Sequence, residues 1–235
     1  MSMRYDRTMV TKTYGQMCSI ARSLDVLGER WSMLIVRELL LGPKRFKNLR
    51  DALTGVGSNR LSDRLKGLEE VDVVRRTTLP APASVQVYEL TERGERLRGP
   101  MVALGLWGLD LPVDERIDPQ TARADLVGMA LAGTQQKLLD PARRDAYEFH
   151  VGDEVFHLRL RDGRFIAQSG PAPIDPVVTV MSDLESFYDV ARRVLTPSQA
   201  IKDGRVTTTG DRRALVELFD VLVYVPGAPL LTPLA

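Results

Sequence analysis

The sequence contains one cysteine, Cys18, and two histidines, His150 and His157, in 235 residues. A single cysteine excludes an intramolecular disulfide framework and fits a reducing, cytoplasmic setting. One thiol and two imidazoles are too few for a zinc site of ordinary composition, although the two histidines fall on neighbouring strand-like segments where they could face each other. No metal is expected. No segment approaches the ~20 consecutive apolar residues of a membrane span, and no apolar core follows Met1 that would serve as a secretion signal. Charge of one sign is lacking too: 32 Lys+Arg offset 31 Asp+Glu, for a net +1. There is no G-x-S-x-G, no Walker A and no complete G-x-G-x-x-G; Gly55-x-Gly57-x-x-Arg60 lacks the last glycine and follows a helical segment. No two carboxylates are spaced as an acid–base couple. The expectation is therefore no catalytic residue, no cofactor and no enzyme activity.

What is present is unevenly distributed. Residues 1–109 carry 18 Lys+Arg against 12 Asp+Glu, a net +6, and residues 110–235 carry 14 against 19, a net −5. A basic half joined to an acidic half suggests a polyanionic partner for the first half alone. The length suits two domains, and 44% apolar with 27% charged residues is a globular composition. Between Leu111 and Pro119 two prolines interrupt any amphipathic period. The organisation expected is a first domain over 1–110, a linker over 111–119 and a second domain over 120–235.

The first half reads as helices, a hairpin and a helix. Helices are expected at 20–27 and 31–41, the second ended by Gly42-Pro43. Phe46, Leu49 and Leu53 recur at helical spacing in 45–53. The segment Thr54-Gly55-Val56-Gly57 is a tight turn, and Ser58 is placed to cap the next helix. There Leu61, Leu65 and Leu68 define one buried face. Strand-like runs at 73–78 and 85–90 flank a proline-stiffened loop. Thr91 opens a last helix reaching about Trp107.

Two short helices joined by a glycine-rich turn form a helix–turn–helix pattern. With its leucines inward, the second helix turns Ser58, Asn59, Arg60, Ser62, Asp63, Arg64 and Lys66 outward. Such hydrogen-bonding and cationic groups suit base edges and phosphates. Lys44, Arg45 and Lys47 lie at the entrance to the motif, and Arg75 and Arg76 lie in the hairpin that follows. A helix–turn–helix with a hairpin behind it is a winged helix, and double-stranded DNA is the expected partner. Val102, Leu104, Leu106, Trp107 and Leu109 are too apolar for a free helix surface; they are expected to bury against a second copy or the second domain.

These motifs follow one another in a recognisable order. Ser23-Leu24-Asp25-Val26-Leu27-Gly28-Glu29-Arg30-Trp31 leads into Leu34-Ile35-Val36-Arg37-Glu38-Leu39 and Gly42-Pro43-Lys44-Arg45-Phe46. Arg60-Leu61-Ser62-Asp63-Arg64-Leu65-Lys66-Gly67-Leu68-Glu69 and Tyr88-Glu89-Leu90-Thr91-Glu92-Arg93-Gly94 come next. Over about 17–108 the chain resembles the HxlR family of winged-helix regulators, relatives of the MarR group. The resemblance implies a transcription regulator that binds DNA as a homodimer through the terminal helices of this domain. It also implies a recognition helix at about 58–69 and a wing at about 74–89. In several members a cysteine before the first helix senses oxidants or electrophiles, and Cys18 holds that position, with Arg22 one turn along. The other reading of Cys18 is a small residue packing the first helix.

In the second half a helix is expected at about 121–139, after Asp118-Pro119. Alternating strands follow: Tyr147, Phe149 and Val151 share a face, as do Phe156, Leu158 and Leu160. Strands at 164–169 and 177–181 complete a sheet of about four. Ser182-x-x-Glu185 and Thr196-Pro197-x-Gln199 read as capping boxes. A short strand at 206–209 precedes a last helix capped by Asp211. The fold class expected is α+β, an N-terminal winged helix–turn–helix followed by an antiparallel-rich sheet covered by helices. Its inward residues could fill a tight core or line an apolar cavity. Val155-Phe156-His157-Leu158-Arg159-Leu160-x-Asp162-Gly163-Arg164, Leu195-Thr196-Pro197-Ser198-Gln199-Ala200-Ile201-Lys202-Asp203-Gly204-Arg205-Val206 and Thr209-Gly210-Asp211 resemble the sterol carrier protein type-2-like fold. This resemblance implies binding of a small apolar, lipid-like ligand. Phe149, Phe156, Leu158, Phe165, Val178, Phe187, Leu218 and Leu222 are the candidate contacts.

Overall fold

The computed structural model describes residues 13–109, 111–112 and 114–222, without the side chain of Gln120. Val113 of the expected linker and the end of the second domain, 223–235, lie outside the described residues. The chain is α+β and divides into two compact units, Met1–Met101 and Val102–Ala235, the division falling inside one helix.

The first unit opens with α1 (Ser19–Leu27) and α2 (Ser32–Leu40). Ile35, Val36, Leu39 and Leu40 of α2 are buried and form the centre of its core. Trp31 precedes α2 in the left-handed region at φ 86°, an unusual backbone state for a bulky side chain. Next come α3 (Phe46–Ala52) and α4 (Ser58–Glu70). Ser58 is the first helical residue rather than the cap: extended Gly57 occupies the cap position without a side chain to offer. Strands β1 (Val74–Thr78) and β2 (Gln86–Leu90) pair antiparallel, and the backbone of Lys44 forms an isolated antiparallel bridge with Tyr88.

The helix expected from Thr91 is two helices, α5 (Glu92–Glu95) and α6 (Arg98–Gly108). Thr91 does cap the first of them, accepting a hydrogen bond from the Gly94 N–H. Pro100 explains the break. It has no N–H to give the carbonyl four residues back, and it is tolerated only in a first turn. Gly94 is held close: a Cβ there would stand 2.2 Å from the Val73 carbonyl oxygen.

The second unit contains α7 (Ala124–Gly133), then β3 (Ala146–Val151), β4 (Glu154–Arg161), β5 (Arg164–Ser169) and β6 (Val178–Ser182). Helices α8 (Leu184–Ala191) and α9 (Pro197–Lys202), strand β7 (Val206–Gly210) and helix α10 (Arg212–Val221) complete it. The five strands form one sheet in the order β5-β4-β3-β6-β7. Only β3 and β6 run parallel; the other pairs are antiparallel.

Helix α7 is shorter than expected because its continuation is drawn into the sheet. The buried Gln135 amide donates to the Lys137 and Gly163 carbonyls, and its oxygen accepts from the Phe165 N–H. The start of α8 is set by Asp183, not Ser182: the Asp183 carboxylate accepts from the Ser186 N–H at 2.6 Å, while Ser182 remains in β6. The capping box at Thr196 and Gln199 is present as expected.

Phe149, Phe156 and Phe187 cluster on the helix-covered face, with Phe149 and Phe156 stacked at 4.9 Å. Gly128 of α7 lies against this cluster, and a Cβ added there would fall 2.4 Å from the Phe156 ring. Substituting Gly128→Ala is therefore expected to lower the stability of the second unit by about 1–3 kcal/mol, through overpacking. Urea unfolding followed by near-ultraviolet circular dichroism measures it, and an unchanged midpoint would contradict the close approach.

Candidate nucleic-acid interface

The geometry of the reading surface follows from the burial of one stripe. Leu61 and Leu65 are fully buried and Leu68 is 2% exposed. That fixes the rotation of α4 and leaves Ser58, Asn59, Arg60, Ser62, Asp63 and Lys66 exposed, with Arg64 half-buried. The preceding turn is tight, and Gly55 takes φ +89°, a state that favours glycine. Arg45 stands at the cap position of α3, and Lys47 is exposed on its first turn.

The structure separates the candidate cations into two groups. Among the described residues, Arg45, Lys47 and Arg60 form no ion pair, whereas the other five each face a carboxylate. Lys44 differs most from the sequence expectation of a phosphate contact. Its side chain is only 13% exposed, with the ammonium 3.8 Å from the fully buried carboxylate of Glu38. Arg37 donates to the same carboxylate at 2.7 Å. A buried carboxylate requires counter-charge, so Lys44 serves as a tie between α2 and the strand it bridges. Arg76 is also held: its guanidinium forms an ion pair with Glu69 at 3.0 Å and lies 5.1 Å over the Tyr88 ring. This joins the wing to α4. Burial raises the Tyr88 phenol above its ordinary pKa, opposed by Arg76 and reinforced by Glu69.

The remaining three pairs have no such ring contact. Arg64 lies 3.5 Å from Glu29, Lys66 lies 3.8 Å from Glu70, and Arg75 donates to its cross-strand partner Glu89 at 2.7 Å. Reading the sequence for cations missed these acidic partners. The Arg75 and Glu89 match follows from hairpin register, and Lys66 with Glu70 from i, i+4 spacing. Nothing local links Glu29 to Arg64.

Cys18 is exposed and occupies the cap position of α1 without bonding its backbone through the side chain. Ile20 and Leu24 on α1 are exposed, as are Leu104 and Trp107 at the end of α6 and Leu109 just past it, while Leu106 is buried.

Among the described residues of the second unit, a small cavity of about 10 Å³ is lined by Phe149, Val180, Ser182, Phe187, Val190, Pro197, Val206, Leu215 and Phe219. That is room for about one water. Of the candidate ligand contacts, Phe149 and Phe187 line it. Phe156, Leu158, Phe165, Val178, Leu218 and Leu222 are buried core residues away from it. Sequence reasoning read Ser182 as a helix cap and not as cavity lining; its hydroxyl is buried without a hydrogen-bond partner, as is that of Thr208. The histidines do not face each other. Strand register sets His157 opposite Glu148 and His150 opposite Val155. The Glu148 carboxylate lies 2.7 Å from His150 Nε2 and accepts from the Ala172 N–H, while His157 Nδ1 lies 2.9 Å from the Gly170 carbonyl. Burial pushes the Glu148 carboxyl up, but the Ala172 and His150 bonds outweigh it and hold it below its usual range.

Residues 26–114 match the HxlR-like helix-turn-helix family, and residues 129–223 match the SCP-2 sterol transfer family. The HTH-type transcriptional regulator YodB of Bacillus subtilis is 35% identical over 85 residues, which span 36% of this chain and 76% of YodB. YvaP, an uncharacterized HTH-type transcriptional regulator of the same bacterium, is 36% identical over 106 residues, 44% of this chain and 93% of its own. A solved structure of the reduced form of YodB is 34% identical, covers 42% of this chain and 100% of that one, and has a TM-score of 0.37. The chain belongs to the HxlR-like helix-turn-helix family, and beyond that region it carries the segment that matches the SCP-2 sterol transfer family.

Proposed function

We propose that this protein is a transcription regulator that binds a pseudo-palindromic DNA operator as a homodimer and responds to a small apolar ligand held by its second domain. The observation that carries the DNA half is the orientation of α4: three leucines buried, Ser58, Asn59 and Arg60 exposed at its first turn. Residues at the start of a recognition helix enter the major groove first. Arg45, Lys47 and Arg60 act as the available cations, Asn59 and Arg60 as base readers, and the wing cations Arg75 and Arg76 lie alongside. Selection of bound fragments from random duplex DNA tests this reading. It is expected to return two half-sites about one helical turn apart, ~34–36 Å. Arg60→Ala or Asn59→Ala should then lose about 1–3 kcal/mol of discrimination at one base position of each half-site. Uniform loss across all sequences would assign these side chains to phosphates instead.

Dimerisation rests on the exposed apolar residues of α1 and of the end of α6. Trp107 is 62% exposed and Leu109 is 61% exposed, which is costly in a monomer. Sedimentation equilibrium should find a dimer, and Leu104→Lys with Trp107→Lys should shift it to monomer and reduce operator affinity more than tenfold.

The ligand half rests on the match to the SCP-2 sterol transfer family and on Phe149 and Phe187 flanking the small cavity. A lipid-sized ligand requires the helices over the sheet to part, so ligand binding would shift the protein between a filled and an opened second domain. Coupling to DNA requires the two states to differ in ligand affinity.

A second reading is favoured by Cys18, exposed at the start of α1. YodB has been solved in a quinone-bound and in a diamide-treated form. In this reading an oxidant or electrophile modifies Cys18, and the second domain serves as an interaction module. Cys18→Ser separates the two. Under the ligand reading, fatty acids or sterols release DNA from both proteins alike; under the thiol reading, diamide releases it from the unsubstituted protein alone.

A further inference from the structure

We propose that Glu29, Glu70 and Glu89 are built-in competitors of DNA phosphate that restrain sequence-independent binding. The proposal rests on the DNA-binding reading given above and adds the groups that limit it.

The observation is a pattern across the reading surface, not a single contact. Of the eight candidate DNA-contacting cations, five already face a carboxylate of the same unit. Two of the five pairs belong to the framework. Glu38 is fully buried beneath Lys44, and Arg76 is committed to both Glu69 and the Tyr88 ring. The other three pairs have a different character. Their cations lack the ring contact that holds Arg76, itself 50% exposed, and their side chains are 31% exposed at Arg64, 72% at Lys66 and 63% at Arg75. Each is within reach of an approaching strand, and each is engaged by one acidic side chain.

Exposed ion pairs of this kind are weak, so phosphate can displace the carboxylate. The displacement is not free of cost. A cation without a partner releases its share of DNA counterions and contributes fully to affinity. A paired cation must first give up its carboxylate, which is then left near the phosphate it competes with. The net benefit from Arg64, Lys66 and Arg75 on arbitrary DNA is therefore small. Sequence-independent affinity falls chiefly to Arg45, Lys47 and Arg60. Of these, Arg60 stands beside Asn59 on the first turn of α4, where base contacts are made. The arrangement keeps a basic domain from being held on duplexes that offer no matching bases.

The three pairs draw on different elements, which argues against coincidence of one helix's spacing. Glu70 lies on α4 itself, Glu89 lies across the β1–β2 ladder, and Glu29 comes from the bend between α1 and α2. The Glu29 pair also connects that bend to the recognition helix.

The experiment measures binding to one duplex of about 30 base pairs and arbitrary sequence, long enough for a dimer, by fluorescence anisotropy across a series of salt concentrations. The full chain carrying E29Q, E70Q and E89Q together is compared with the unsubstituted chain. The expected result is a roughly tenfold or greater increase in affinity at low salt. The slope of log K against log salt should steepen by about 0.9 for each additional phosphate neutralised. Adding R64Q, K66Q and R75Q to the same chain should abolish the increase, because the carboxylates act through those cations. An unchanged affinity overturns the proposal. So does an increase that persists after the cations are neutralised, which would reflect diffuse repulsion alone. Circular dichroism and the urea midpoint verify folding of the triple variant. If it does not fold, the same cycle with E29Q and R64Q alone decides the matter, since Glu29 is 51% exposed. Absence of any DNA binding by the unsubstituted chain overturns the regulator reading, and this proposal with it. Binding without the increase overturns this proposal only.

Discussion

The burial of Leu61, Leu65 and Leu68 is the constraint on which the first unit's chemistry depends. Burying each leucine is worth about 1.5–3 kcal/mol relative to leaving it exposed. A rotation of α4 large enough to change its outward face would therefore expose most of that apolar area. The helix has one stable setting, and that setting decides which of its polar residues meet solvent. The wing is referred to the same helix through Glu69 and Arg76, and to α2 through Lys44, whose backbone bridges to Tyr88 and whose ammonium faces Glu38. Core, α4 and wing are in this way mutually positioned.

Polar groups inside the two units follow one rule, that a group removed from water finds a partner. Glu38 draws Arg37 and Lys44 toward it. Gln135 satisfies three backbone groups at the end of α7. Asp125, 5% exposed, is met by Arg123 and by the Ser169 hydroxyl. The exceptions are informative by contrast. They include Trp31 Nε1, His157 Nε2 and the hydroxyls of Ser182 and Thr208, each buried without a hydrogen bond. Such orphans cost roughly 1–3 kcal/mol each.

Much of the architecture was legible in the residue pattern. The leucine spacing in 61–68, the alternation in 147–151 and 156–160, and the Thr196 capping box each encode their element locally. What escaped is set by tertiary geometry. The extent of α7 depends on where Gln135 finds carbonyls, and the break after α5 on Pro100. The histidine arrangement depended on a strand register that two aromatic faces alone did not fix; a shift of one residue changes every opposite pair. At the interface, the cations were visible one by one, whereas their engagement was not. Whether an arginine is available to a ligand depends on an acid that is near in space, and Glu29 is 35 positions before Arg64 in the chain.

The single parallel pair in the second sheet has a consequence for how the molecule is made. Strands β3 and β6 become neighbours only after β4 and β5 have been laid down and the chain has crossed back, so their pairing closes a long loop. The first unit relies on short helices and one hairpin between adjacent strands. Local closure is fast, and pairing of distant strands is slow. During synthesis, which proceeds from the amino terminus, the basic unit can complete its core while the acidic unit is still emerging from the ribosome.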